Sequence, residues 1–346
     1  MKRHLNTLFV TTQGAYLAKE GETAVVRSEG ETLLRVPLLN LDGIVCFGNV
    51  GTSPFLLGAC GERGVAVSYL SSRGRFLARV VGPVSGNVLL RREQYRRADD
   101  PEGAAAIARS IVLAKVINSR RVLQRSLRDQ PAEGSGRDSD PRAEAVAALA
   151  ALAREVERAS DLDAVRGLEG TAARTYFAAF PALILPAEEA FAFRGRNRRP
   201  PLDPVNALLS FVYTLLRHDV TSALEATGLD PQVGFLHRDR SGRSSLALDL
   251  MEELRAPLGD RLVLSLINRR QVRPDGFEVG ESGGVFMDEA TRKTVLVAYQ
   301  ERKQAEVTHP FLGETTSLGL LFQLQARLLA RHLRGDLDAY PPYVPR

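Results

Sequence analysis

Two different periods divide the chain. In GVAVSYL, Val65, Val67 and Tyr69 take every second position, and after SSRGR the segment RFLARVV repeats the alternation with Phe76, Ala78 and Val80. A period of two on both sides of a glycine-containing turn predicts a half-buried β-hairpin. Upstream, GAYLAKEGETAVVRSEGETLLRVPL breaks its short apolar runs twice with Gly-Glu-Thr, the pattern of a β-meander. One short helix interrupts this region: Ser53 suits an N-cap, Pro54 the first turn, and Phe55, Leu56, Leu57 and Ala59 an apolar side. Beyond QYRRADD the period lengthens. Asp100 and Pro101 mark a helix start, Ile107, Ile111, Ala114 and Ile117 recur at helical spacing, and the remainder reads as mostly helical. Residues 131–142, PAEGSGRDSDPR, predict a flexible connection between helices and not the main domain boundary. The expected fold is α+β, with a β-rich N-terminal domain over residues 1–94 and a larger, mostly α-helical domain over residues 95–346.

A chain of 346 residues, 44% hydrophobic, can bury one large core or two modest ones, which agrees with two domains. Cys46 and Cys60 supply neither a disulfide framework nor the four thiolates of a zinc ribbon. That excludes stapled extracellular scaffolds and predicts a reducing compartment. The opening MKRHLNTLFVTTQG turns polar after a few apolar residues, too soon for a signal core or a membrane span, so a soluble, cytoplasmic protein with no membrane partner is expected. The net charge is +5, carried by five lysines against 41 arginines. Guanidinium groups suit phosphate oxygens and point to nucleic acid. The plainer reading is a compositional bias toward arginine, with many of these side chains paired to the 41 acidic residues.

Two constellations could carry chemistry. In DLDAVRGLEGTAARTYF, Val165, Glu169, Ala172 and Tyr176 share one helical stripe, which puts a carboxylate among apolar neighbours between Gly167 and Gly170. Such a carboxylate needs a cation, a proton or a donor, and a structural ion pair with a nearby arginine would serve as well as a functional partner. In VGFLHRDRSGRSSLALDLMEELRAP, Ser245 can cap a helix with Leu246, Leu250 and Leu254 on one stripe, while Asp249 and Glu252 project together from another face, close to His237. With Glu169 this makes an N,O donor set suited to Mn²⁺ or Mg²⁺; the competing reading is a core histidine beside a solvated acidic face. Walker, GxGxxG and HExxH motifs are absent from the sequence. Basic runs at 194–200, 238–243 and 268–274 would hold a phosphate backbone if they folded around one cleft.

Together these stretches resemble the CRISPR-associated protein one family, the endonuclease and integrase of CRISPR adaptation. The resemblance is carried by RGLEGTAARTYF around Glu169, DPVNALLSFVYTLL with Asn206 and Tyr213, GFLHRDRSGRSSLALDLMEELRAP from His237 to Glu252, and GGVFMDEATRKTVLVAYQERK. It extends into SPFLLGACGERGVAVSYLSSRGRFLARV and so covers nearly the whole chain, in a style similar to type I systems. It implies a catalytic metal site of Glu169, His237 and Glu252 holding Mg²⁺ or Mn²⁺, with neighbouring Glu253 as a rival to Glu252. Asp249 is implied as an outer-shell residue or a conditional ligand. Asn206, Tyr213 and Arg255 match positions that support or border the site, and Arg269 and Arg270 stand with Arg255 as candidates for DNA contact.

The resemblance further implies a homodimer formed through the N-terminal domain, assembled with the small CRISPR-associated protein two. The expected reaction inserts a short double-stranded DNA fragment into CRISPR repeat DNA, the fragment's 3′ hydroxyl attacking a repeat phosphodiester. The alternatives are a standalone structure-specific nuclease on branched DNA and a non-catalytic nucleic-acid-binding scaffold.

Overall fold

The protein was analysed as a computed structural model describing residues 7–41, 43–72, 76–80, 82, 88–130, 140–185 and 189–345. Its first part contains β1 (Thr7–Val10), β2 (Tyr16–Glu20), β3 (Thr23–Ser28), β4 (Glu31–Pro37), β5 (Gly43–Phe47), β6 (Gly51–Thr52), β7 (Ala66–Leu70) and β8 (Phe76–Val80). The meander forms as expected, with β3 antiparallel to both β2 and β4. So does the hairpin, in which Val67 faces Val80 and Tyr69 faces Ala78 across β7 and β8; residues 73–75 of its turn lie outside the described residues. Helix α1 (Pro54–Arg63) starts at Ser53, whose side chain accepts the Leu56 N–H.

The strands are not one meander. They divide into a sheet of order β4-β3-β2-β6 and a mixed sheet of order β1-β5-β7-β8, where β5 lies parallel to both neighbours. The sequence GIVCF of β5 is buried throughout. Ile44 and Cys46 point into a cluster joining both sheets to α1, while Val45 and Phe47 point into the helical core. A strand covered on both faces reads as a continuous apolar run without alternation. Cys46 and Cys60 share the first cluster as free thiols, pushed up to about 12 and about 11 by burial; they are inert packing residues.

The second part contains α2 (Val88–Asp99), α3 (Pro101–Asp129), α4 (Pro141–Arg158), α5 (Leu162–Ala179), α6 (Pro204–Thr227), α7 (Ser245–Leu254), α8 (Arg261–Asn268), α9 (Glu289–Gln304) and α10 (Leu321–Leu333). Asp100 caps α3 by accepting from the N–H groups of Glu102 and Gly103. The 29 residues of α3 pack on α4, α5 and α7, so this helix underlies everything that follows. Residue 94, the expected end of the first domain, lies inside α2, where the Gln94 side chain bonds the backbone of Asp230 and Val233.

Two local expectations need correction. The connection expected to run to residue 142 ends earlier, because Asp140 accepts the Arg142 N–H and Pro141 opens α4 in the first-turn position proline favours; residues 131–139 lie outside the described residues. The helical part also holds two three-residue hairpins, β9 (Phe277–Val279) with β10 (Val285–Met287) and β11 (Glu306–Thr308) with β12 (Thr315–Ser317). Strands this short leave no readable period. Among the described residues no helix is long and apolar enough to cross a membrane.

Candidate active site

The helix carrying Glu169 begins at Asp161, which accepts the Ala164 N–H and so caps α5. Val165, Ala172 and Tyr176 are buried on one stripe, and Glu169 stands on the same side, partly exposed. Its partner is not an arginine. Lys115 of α3 places its ammonium in contact with Glu169 Oε1 and 2.8 Å from Glu252 Oε2 of α7. The two carboxylates therefore face each other across a single nitrogen, although they are far apart in sequence. Arg255 Nη2 lies 3.0 Å from Glu252 Oε1, and His237 Nε2 lies 4.0 Å from that oxygen. Burial acts to raise the Glu252 carboxyl, but Arg255, Lys115 and His237 outweigh it and hold the group down to about 2.

The imidazole is aimed by its own backbone. Residues 235–237 cross α7 so closely that Asp249 accepts the N–H groups of Phe235, Leu236 and His237 at 2.6, 2.9 and 3.0 Å, and its Oδ1 also meets His237 Nδ1 at 2.6 Å. With Nδ1 engaged by this carboxylate, Nε2 is the ring nitrogen left to face Glu252. Gly234 makes the crossing possible: a Cβ there would sit 2.6 Å from Asp249 Oδ2 and 2.8 Å from the Ser245 backbone. Asp249 and Glu252 both face the His237 ring, Asp249 at Nδ1 and Glu252 4.0 Å from Nε2, and Asp249 is the one that orients it.

Ser245 does not cap α7. Ser244 occupies that position without a side-chain bond, and the first N–H groups are taken by the carbonyls of Pro231 and Gln232. Ser245 is buried in the first turn, its hydroxyl donating to the Arg238 carbonyl. Glu253 turns away from the cluster and accepts from Tyr340 Oη, the Tyr343 N–H and Gln325 Nε2, with burial lifting its carboxyl to about 7. Of the two adjacent carboxylates, Glu252 is the one that meets Glu169.

The bordering residues form a supporting layer. After α7 the helix widens into a π-helical turn over Arg255–Asp260 before α8 resumes. Arg255 lies over the Tyr213 ring, and both Tyr213 and Tyr176 donate to Asp260, at 2.6 and 3.1 Å. Asn206 is buried in the first turn of α6, where it accepts from Arg196 and the Asn197 N–H and donates to the Gly195 carbonyl. It fixes the 194–198 segment. Arg194, Arg196 and Arg198 then line a cleft of about 740 Å³ together with Arg174, Phe177 and Tyr213, and Lys115, Glu169 and Arg255 form its inner end. Arg243 feels repulsion from Arg240, Arg198 and Arg199, so the basic runs at 194–200 and 238–243 approach each other. Arg269 and Arg270 are exposed beyond α8 and are not among the residues lining this cleft.

Lys115, Asp260 and Arg174 were not foreseen. Lys115 had a signal: it is one of five lysines and interrupts the apolar face of Ile111, Val112, Ala114 and Val116. As they stand, the described residues hold no ready cage of three His, Cys, Asp or Glu side chains. The donor chemistry nevertheless fits a hard divalent ion, with two carboxylates and an oriented imidazole nitrogen. Glu252 Oε2 is buried, and the cation beside it is the Lys115 ammonium at 2.8 Å.

Comparison with known proteins places this geometry in context. The family model for "CRISPR associated protein Cas1" matches residues 8–301. A relative from Chlorobaculum tepidum, described as CRISPR-associated endonuclease Cas1 1, is 54% identical over the full length of both chains. A CAS1 protein from Thermotoga maritima shares the fold with a TM-score of 0.80 at 24% identity, covering 97% of this chain and 99% of its own. A casposase bound to integration product matches at 0.84 and 22%, over 99% of this chain and 95% of its own. A Cas6-RT-Cas1–Cas2 complex includes a chain matching at 0.80 and 22%, over 99% of this chain and 36% of that one.

Proposed function

We propose that this chain, which belongs to the CRISPR-associated Cas1 family, is a metal-dependent DNA endonuclease and integrase of CRISPR adaptation. The observation that carries the reading is that Glu169 and Glu252 share one cation, the Lys115 ammonium, with His237 Nε2 4.0 Å from the second carboxylate, where Lys115 and Glu169 line an arginine-rich cleft. Mg²⁺ or Mn²⁺ held there would polarise a phosphoryl oxygen and stabilise charge on the leaving oxygen.

The chain's own residues supply the rest. Asp249 fixes the ring of His237, Arg255 holds Glu252 in place, and Arg194 and Arg198 offer guanidinium groups to a phosphate backbone. A 3′ hydroxyl as nucleophile requires no covalent protein intermediate, and the one GxSxG match, Gly280–Gly284, is the turn between β9 and β10 and not the strand-to-helix elbow of a serine nucleophile. The proposed substrates are a double-stranded DNA fragment and CRISPR repeat DNA, in the cytoplasm. The proposed assembly is a homodimer formed through the N-terminal sheets together with a Cas2-type partner. The fold shared with a chain of a Cas6-RT-Cas1–Cas2 complex supports the Cas2-type partner.

The test is strand transfer of a labelled fragment into a supercoiled repeat target, with purified partner and Mn²⁺ or Mg²⁺. Glu169→Gln, His237→Ala and Glu252→Gln should each lower the rate by at least about a hundredfold, the scale of losing a charge-stabilising group. Retained full activity in any one of them would refute the assignment of that residue, and activity in EDTA would refute the metal.

A further inference from the structure

We infer that Lys115 is a displaceable counter-cation, whose ammonium holds the metal position between Glu169 and Glu252 in the metal-free protein and moves toward the adjoining cleft when a divalent ion binds. The inference rests on the reading of the site given above. It starts from coincidence of place. The atoms Lys115 touches, Glu169 Oε1 and Glu252 Oε2, belong to two of the three donors that the ion would need. A divalent ion bonds such oxygens at about 2.0–2.2 Å, inside the range of an ammonium contact, so both cations cannot occupy the same gap.

Charge explains why something must be there. Without Lys115, two carboxylates would face each other in a largely buried site, and Arg255 would be left to compensate Glu252. Like charges so placed strongly oppose one another. The quality of the contact explains why the occupant can leave. Glu252 Oε2 lies 2.8 Å from the ammonium as one charge beside another, an attraction that a second cation at the same place would also supply.

Space allows the movement. Lys115 is itself a wall of the cleft of about 740 Å³, and the four-carbon stem lets the head group swing without moving α3. On the opposite helix, the ideal Cβ positions of Gly167 and Gly170 meet nothing within 4 Å. Once displaced, the ammonium would join Arg174, Arg194 and Arg198 on the wall that faces substrate.

Two measurements on the full-length chain test this. In calorimetric Mn²⁺ titrations, Lys115→Met should bind the ion about ten- to a hundredfold more tightly than wild type, the scale of removing one charge-assisted hydrogen bond from the metal-free state. Lys115→Arg, which keeps a cation in place, should bind no more tightly than wild type. Unchanged or weaker binding by Lys115→Met overturns the inference.

The second measurement needs no variant and stands even if Lys115→Met fails to fold. The chain has only five lysines, so acylation followed by peptide mass spectrometry reports each one separately. Mg²⁺ should accelerate acylation of Lys115 relative to Lys19 and Lys293 in the same sample; an unchanged or slower rate overturns the inference. If wild type binds no divalent ion, the reading of the site falls with it. If it binds one while Lys115 is indifferent, only the inference falls.

Discussion

Asp260 is 2% exposed and receives the hydroxyls of Tyr176 and Tyr213. Burial outweighs those two bonds and the nearby Arg255 and Arg196, lifting its carboxyl from 3.8 to about 6. Below about pH 3.8 the folded and unfolded chains both hold this proton, and the full stability is present. As pH rises through about 6 the unfolded chain has already ionised while the folded one resists, so stability is lost by up to about 1.4 kcal/mol per pH unit across that window. Asp260→Asn removes the loss. Denaturant unfolding at pH 4 and pH 8 should show the variant gaining on wild type by on the order of 2–3 kcal/mol at the higher pH; a difference independent of pH would contradict the buried, raised carboxyl. The same scale shows how much of the site was legible. Glu253 lies three residues after Leu250 and seven after Leu246, on the buried stripe, whereas Glu252 lies off it. The sequence reading left the two carboxylates as rivals, and what each meets depends on Lys115, Tyr340 and Gln325, which are remote in sequence.

At the scale of elements, the site is a crossing of α3, α5, α7 and the 234–237 segment, and each piece was readable better than the crossing itself. The caps at Ser53 and Asp100 and the stripe of Leu246, Leu250 and Leu254 depend on neighbours within a few residues and were legible. The start of α7 was not, because the groups that satisfy it are backbone carbonyls at 231 and 232, which carry no side-chain signature. Gly234 belongs to the same class of hidden requirement. A methyl group there meets Asp249 and backbone at once, so Gly234→Ala must lift the segment from α7 and weaken the three N–H contacts that aim His237. It should destabilise the fold by about 1–3 kcal/mol, the usual scale of overpacking, and reduce strand transfer more than that loss of folded protein explains. Wild-type thermal unfolding and wild-type activity in this variant would show that the close crossing is not what positions the imidazole.

Across the whole molecule, β5 ties the two parts together. Neighbouring residues of this one strand belong to different cores: Ile44 and Cys46 to the cluster of the two sheets, Val45 and Phe47 to the helical core, where Phe47 packs against Phe211 of α6 at 6.0 Å between ring centroids. Polar contacts join the same surfaces, since Ser68 Oγ meets His218 Nδ1 at 2.8 Å and Arg79 pairs with Glu225. Neither part can shed its share of β5 without opening the other. Calorimetry should accordingly show one cooperative transition for the chain. Ile44→Ala, costing about 2–5 kcal/mol, and Phe47→Ala, costing about 3–5 kcal/mol, should both shift that single transition downward although they empty different cores. If Phe47→Ala instead splits the endotherm, with the sheet region unfolding at its original temperature, the strand is merely a contact between two independent bodies. A single lowered peak in both variants means that the sheets proposed to form the dimer and the helices proposed to hold the ion are energetically one unit. Pairing at the first would then be expressed as stability at the second.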